Sequence, residues 1–259
     1  VARSTGTPGS TEVLGSTETR RGRARLRTVA LIGIDGSGKT TQAYRLAEAL
    51  TAAGYPATYH RNAGGRRWLG RAAHRFGRPD AQGLLGRDGM LLVESVLRWL
   101  AIAMTLLGSL LTGRVAVMDR YAACQYASLR AHGGHRWEPL VRAAYRLFPR
   151  PQVTFLLSVA PGEAYGRIER RGTDHESLAY LSAADLAYRA LPEHPTFVSV
   201  DAGRRAEDVA REIRGHLSPW LAAADGPVGG GPVVVATPVR TERPVPVATQ
   251  ALVPLQARP

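Results

Sequence analysis

The sequence has almost no lysine. Of its 34 basic residues only Lys39 is one, so the net charge of +13 and the pI near 10.9 come from arginine spread along the whole chain. Nucleic-acid binding calls for a local basic patch that displaces counterions from phosphates. Near-exclusion of lysine marks a coding bias across the whole chain, so the charge is discounted and nucleic acid is not expected as a partner. Cysteine is nearly absent too. Cys124 stands alone, which excludes an intrachain disulfide and a thiolate metal cluster and suits a reducing, cytoplasmic setting. Residues 1–27 contain no apolar core of the secretory kind. The longest low-charge stretch, Trp99 to Gly113, falls short of the roughly 20 residues that cross a bilayer. It reads as a buried core helix, with no membrane partner expected.

Composition divides the chain into three. Residues 1–27 are rich in Ser, Thr, Gly and Arg without apolar period and read as a basic tail. From about Gly226, prolines and glycines crowd the sequence, and 223–259 reads as an extended tail. Between them, 28–222 is expected to form one α/β domain. Strands are expected over Thr28–Gly33, Ala57–His60, Val115–Met118, Val153–Val159 and Thr196–Val200. Helices are expected over Lys39–Ala53 and Met90–Thr112, the second closed by a left-handed Gly113. Unbroken apolar runs mark strands covered on both faces, and their alternation with helices implies parallel βαβ units. The expectation is a three-layer α/β/α fold with a five-stranded parallel sheet, its ligands at the carboxyl ends of the strands.

The strongest local signal is Gly33-Ile34-Asp35-Gly36-Ser37-Gly38-Lys39-Thr40, which fits G-x-x-x-x-G-K-[ST] at every fixed position. An apolar strand precedes it and a helical pattern follows. In this context the glycines let successive N–H groups turn toward phosphate oxygens at a helix N-terminus. Lys39 reaches the β and γ phosphates of ATP, and Thr40 is a ligand for Mg²⁺. Gly33, Asp35, Gly36, Ser37, Gly38, Lys39, Thr40 and Thr41 are therefore the candidate ATP contacts.

The run Ile34 to Gln42, with its acidic Asp35, resembles the P-loop of the thymidylate kinase family, and Asp119-Arg120-Tyr121 after the third strand is similar to that family's D-R-Y/H element. The resemblance implies that Asp119 joins Thr40 at Mg²⁺ and that Arg120 bridges the acceptor phosphate to the γ-phosphate. Arg167, Arg170 and Arg171, in a stretch that resembles the family's lid, share a helix face and would close over the transferring phosphoryl. The P-loop itself carries no arginine, so the lid would supply the catalytic one, as in bacterial members. Lys39, Asp119, Arg120 and these three arginines are the implied catalytic set. On the acceptor side the resemblance implies Asp35, Arg61, Arg98, Arg120, Tyr121 and Gln125, with Arg98 at the base. Here the chain departs from the family. Arg61-Asn62-Ala63-Gly64-Gly65 stands where R-E-P-G-G is usual, Glu94 where an aromatic residue stacks on the base, and Ser128 where a tyrosine is expected.

These residues favour a kinase that transfers the γ-phosphoryl of ATP to dTMP, with room for a homodimer. Two other readings stay open: a kinase of this fold with a different acceptor, and a nucleotide-binding protein without kinase turnover.

Overall fold

Five short apolar runs pair side by side into a single sheet. In the computed structural model, which describes residues 25–63, 81–172 and 176–221 (81–85 by backbone alone), the strands are β1 (Thr28–Ile32), β2 (Ala57–Arg61), β3 (Val115–Asp119), β4 (Val153–Ser158) and β5 (Val198–Asp201). All neighbours run parallel, in the order β2-β3-β1-β4-β5. This is the expected fold class. Val29 to Ile32 and Val115 to Asp119 are buried throughout, as unbroken apolar strands in the middle of a two-faced sheet must be.

The helices are α1 (Lys39–Ala52), α2 (Ala81–Thr112), α3 (Ala122–Ala131), α4 (Glu138–Tyr145), α5 (Pro161–Arg171), α6 (Leu178–Arg189) and α7 (Ala206–Leu221). The chain moves one way across the sheet from β1 to β2 and the other way from β2 to β3 and from β3 to β4. Right-handed crossovers then put α1 on one face and α2 to α6 on the other. The closing helix α7 returns to α1, where Gln42 Nε2 donates to the Ala206 carbonyl at 2.9 Å. The reversal of direction on either side of β1 opens a crevice at the carboxyl end of the sheet. Register then places Asp119 beside both Leu31 and Arg61 at that end.

Several expected bounds shift, for local reasons. The second helix begins at Ala81 rather than Met90 and is interrupted by Gly86 (φ 69°, ψ 170°), whose non-helical backbone hides the earlier turn from a periodicity reading. It ends at Gly113 with φ 66°, as expected. β5 begins at Val198, because Thr196 belongs to a 3₁₀ turn (His194–Thr196) closed by its N–H on the Glu193 carbonyl at 2.9 Å. Helix α3 gave no amphipathic signal, since Ala123 to Leu129 are all buried. The stretch Trp99 to Gly113 is buried on one side only: Ile102 and Thr105 pack inward, while Met104 and Leu111 are 68% and 77% exposed. Leu26, ahead of β1, is part of the core.

Candidate active site

The loop between β1 and α1 is bent by three glycines at positive φ: Gly33 (139°), Gly36 (83°) and Gly38 (88°). Two also allow close approach. A Cβ on Gly33 would lie 2.5 Å from the Leu157 carbonyl oxygen, and one on Gly36 would lie 2.5 Å from that of Ala164 in α5. The loop is thus pressed between β4 and the helix that carries the arginines of the expected lid. Gly38 caps α1 without a side-chain hydrogen bond. The first N–H groups of the helix, with its positive dipole end, face the crevice.

Lys39 is 4% exposed and donates from Nζ to the Ile34 carbonyl at 2.5 Å, with Asp35 Oδ1 at 3.6 Å. Burial lowers its pKa, against the opposing pull of Asp35. The backbone contact holds the ammonium across the mouth of the loop, where a phosphate would replace the carbonyl as its partner. Thr40 donates its hydroxyl to Asp119 Oδ2 at 2.5 Å, so the P-loop and the end of β3 are joined directly. Asp119 Oδ1 is buried and has no hydrogen-bond partner among the described residues. An orphaned carboxylate oxygen beside a threonine hydroxyl is a donor set of the hard, oxygen-only kind that Mg²⁺ takes when phosphates complete its shell. No cluster of three His, Cys, Asp or Glu that could hold a metal ion occurs among the described residues.

Arg120 is the one non-glycine residue at positive φ (81°) among those described. Such a conformation costs energy and persists only where neighbours enforce it. Its N–H donates to Leu31 O at 3.0 Å, its carbonyl accepts from Asn62 Nδ2 at 2.9 Å, and its guanidinium pairs with Asp35. Burial opposes the charged guanidinium, yet Asp35 and Asp119 outweigh it and hold the group protonated.

The acceptor-side residues form a second buried cluster. Arg98 (3% exposed) donates to Glu94 Oε1 at 2.8 Å, to Gln125 Oε1 at 2.5 Å and, at the limit of reach, to the Asn62 carbonyl at 3.4 Å. Gln125 Nε2 donates in turn to Ser95 Oγ at 2.8 Å. A buried guanidinium needs a counter-charge, and Glu94 supplies it from one helical turn away.

These groups share a cleft of about 400 Å³. Asp35, Lys39, Thr40, Thr41, Arg61, Glu94, Arg98, Arg120, Ser128 and Arg171 line it. Other expected residues do not reach its wall: Asp119 and Ser37, each 1% exposed, lie behind it. Gln125 is fully buried behind Arg98, and Tyr121 donates its hydroxyl to the Pro149 carbonyl at 2.6 Å. Arg167 turns to Glu163 and the Ala202 carbonyl, and Arg170 folds back on the Gly166 carbonyl at 3.1 Å. Of the three arginines expected to act together, Arg171 alone lines the cleft. Gly64 and Gly65 lie outside the described residues.

Sequence reading missed Tyr180 and Tyr188, which line the cleft from α6 with Ala184 between them. Their i, i+4, i+8 spacing was the available signal. It also missed Asn62, whose N–H donates to the Asp119 carbonyl at 3.0 Å and whose side chain reaches Arg120 and Thr105. Where the sequence showed only a lost acidic residue, the structure has the joint between β2, β3 and α2.

A parallel sheet with a glycine-bent phosphate loop after β1 and an aspartate–threonine contact at the end of β3 defines a P-loop phosphotransferase. The sequence matches the thymidylate kinase profile over residues 32–213. It is 29% identical to a probable thymidylate kinase of Archaeoglobus fulgidus over 74% of this chain and 95% of that protein. It is 31% identical to the thymidylate kinase of Xanthomonas euvesicatoria pv. vesicatoria (75% and 84%) and 29% identical to that of Roseiflexus castenholzii (75% and 94%). The chain belongs to the thymidylate kinase family.

The glycine geometry makes a direct prediction. Gly36→Ala places a methyl against the Ala164 carbonyl at positive φ, a strain of about 1–3 kcal/mol, and should weaken binding of a fluorescent ATP analogue by about tenfold or more. Gly54→Ala, also at positive φ (85°) but facing open space, should lower the melting temperature and leave that affinity unchanged.

Proposed function

We propose that this protein transfers the γ-phosphoryl group of ATP to dTMP, producing dTDP and ADP. The observation that supports this most is one cleft that runs from the phosphate loop, past Thr40 and Arg120, to the buried Glu94–Arg98 pair. One end suits a triphosphate, the middle suits a second phosphate, and the far end offers a hydrogen-bond donor and acceptor at the size of a base. The names of the relatives add the pyrimidine.

Chemistry of this type asks the protein for position and charge. An oxygen of the acceptor phosphate attacks the γ-phosphorus, and the bond to the β–γ bridging oxygen breaks. Lys39 leaves the Ile34 carbonyl for the β and γ oxygens. Arg120, already turned toward the loop by Asp35, holds the acceptor phosphate in line. Arg171 balances the charge that develops on the transferring group, with Arg167 and Arg170 nearby on the same helix. Thr40 and Asp119 Oδ1 would hold Mg²⁺, which when bound neutralises charge on the phosphate oxygens. Arg98 donates to a base carbonyl, and Gln125 acts through it by fixing the guanidinium. The catalytic unit, read from the sequence as 28–222, is proposed to include Arg25–Arg27, because Leu26 is in the core and Gln152 Oε1 accepts from the N–H groups of Arg27 and Thr28.

The exposed side of α2 supports a homodimer. Val96, Leu100, Met104, Leu107 and Leu111 lie three or four residues apart, and all are at least 48% exposed. That spacing keeps them on one stripe, and a second copy of the same stripe would cover it. The segment Gly86–Thr112 is apolar and long enough to cross a bilayer by composition alone. Its inward face, with Leu91 and the Glu94–Arg98 pair, is already packed within the protein. A cytoplasmic location is part of the same proposal.

The decisive experiment is ADP release measured against a panel of nucleoside monophosphates. Turnover with dTMP above dUMP, dCMP, dGMP and dAMP is expected; turnover only with another acceptor would replace dTMP, and none at all would reduce the protein to a nucleotide binder. The double variant Glu94→Gln/Arg98→Ala, which strands no buried charge, should raise KM for dTMP by about tenfold or more and leave KM for ATP unaltered.

For the lid, Arg171→Ala should lower kcat by about 10³ or more with little change in KM, well beyond the effects of Arg167→Ala and Arg170→Ala. Steady-state kinetics at saturating ATP decide this.

The dimer is checked by sedimentation. Met104→Glu combined with Leu111→Glu should convert a two-chain species to one chain, whereas a wild-type protein that is already monomeric would rule the stripe out.

A further inference from the structure

The two oxygens of Asp119 are treated unequally. Oδ2 accepts the Thr40 hydroxyl at 2.5 Å and also the Tyr59 phenol at 3.3 Å. Oδ1 is buried without a partner among the described residues. Leaving a buried acceptor unmatched is costly, so the arrangement fits a group that arrives with its own positive charge. Tyr59 belongs neither to the phosphate loop nor to the D-R-Y stretch. It is the third residue of β2, half-buried, with its ring edge-on to Tyr44 at a centroid distance of 6.1 Å. A tyrosine phenol donates at neutral pH, and here its hydroxyl points at the carboxylate oxygen that Thr40 also binds.

We propose that Tyr59 is a positioning residue for the metal ligand: with Thr40 it fixes Oδ2, and this turns Oδ1 toward the Mg²⁺ that accompanies ATP. The inference rests on the nucleotide-binding part of the function proposed above. A carboxylate held by one donor can pivot about that hydrogen bond. Held by two donors from different elements, one on α1 and one on β2, it has a defined plane. Register makes this possible, because Tyr59 pairs with Val117 and so stands two residues behind Arg61, the partner of Asp119, with its side chain on the α1 face among Thr40 and Tyr44. The phenol supplies no charge and no ligand atom. Its loss should therefore change how well Asp119 is aimed and leave intact what Asp119 is.

Tyr59→Phe tests this, since it keeps the ring against Tyr44 and removes only the hydroxyl. Outer-sphere partners of metal ligands are typically worth about 10- to 100-fold in metal affinity or activity. The Mg²⁺ concentration that gives half-maximal turnover at fixed ATP should rise about tenfold, while kcat at saturating Mg²⁺ stays within about twofold of wild type. Calorimetric titration of Mg²⁺ into the full chain saturated with ADP should show the same weakening, and this arm needs no acceptor and no turnover. Tyr44→Phe, which touches no ligand, should leave both curves in place. Unchanged Mg²⁺ midpoints in both assays would overturn the proposal, as would a fall in kcat with the midpoints unmoved, the signature of a merely structural tyrosine. If the calorimetric shift appears but dTMP is not turned over, the positioning role stands and the acceptor assignment fails. If wild type shows no Mg²⁺-linked ADP binding at all, both are wrong.

Discussion

The hydrogen bond from Thr40 to Asp119 ties the chemistry to the architecture. One partner opens α1 and the other ends β3, two segments brought together only because β3 pairs beside β1 with Leu31 opposite Asp119. If that register slipped by one residue, the carboxylate would face the opposite side of the sheet. This contact joins the phosphate loop to the carboxyl end of β3. Asn62, one residue beyond β2, binds the backbone of Asp119 and Arg120 and thereby extends the same constraint to the third strand in the row.

Charge in the cleft is balanced locally before any ligand is considered. Asp35 stands between Lys39 and Arg120, and Glu94 answers Arg98. Breaking a buried pair by removal of one member is expensive, although replacing the whole pair with apolar groups often is not. Such pairs are therefore better understood as preorganisation than as stability. They hold cations in place, and in the proposed function each would exchange a carboxylate or carbonyl for a phosphate or a base. Arg120 shows the same logic in its backbone, where a left-handed conformation is enforced by neighbours on three sides.

Helix α2 joins the two halves of the proposed behaviour. Its inner face carries Glu94 and Arg98 into the cleft, and its outer face carries the apolar stripe. The side chains on both faces belong to one helix, so whatever covers the stripe bears on the helix that holds Glu94 and Arg98.

How much of this was legible in the sequence depended on whether the determinant was local. The phosphate loop is a local object: glycine at positions 33, 36 and 38 specifies the bend, and Lys39 and Thr40 follow at fixed spacing, so the cradle could be read without any structure. The strands were legible because each is a short unbroken apolar run, and the parallel class because helices separate them. Long-range geometry was not. The lid arginines share a helix face by spacing, yet only the packing of α5 decides that Arg171 lines the cleft while Arg167 finds Glu163. Gln125 and Tyr121 looked like ligand contacts by position, but burial gave them internal partners. Tyr59, an ordinary aromatic residue in a strand pattern, acquired a role only when parallel pairing set it beside Asp119. The sequence by itself determined what the chain can bend around and which groups can carry charge; the tertiary structure alone decided which of those groups face the same cavity, because side-chain direction follows from strand register and helix packing between residues far apart in the chain.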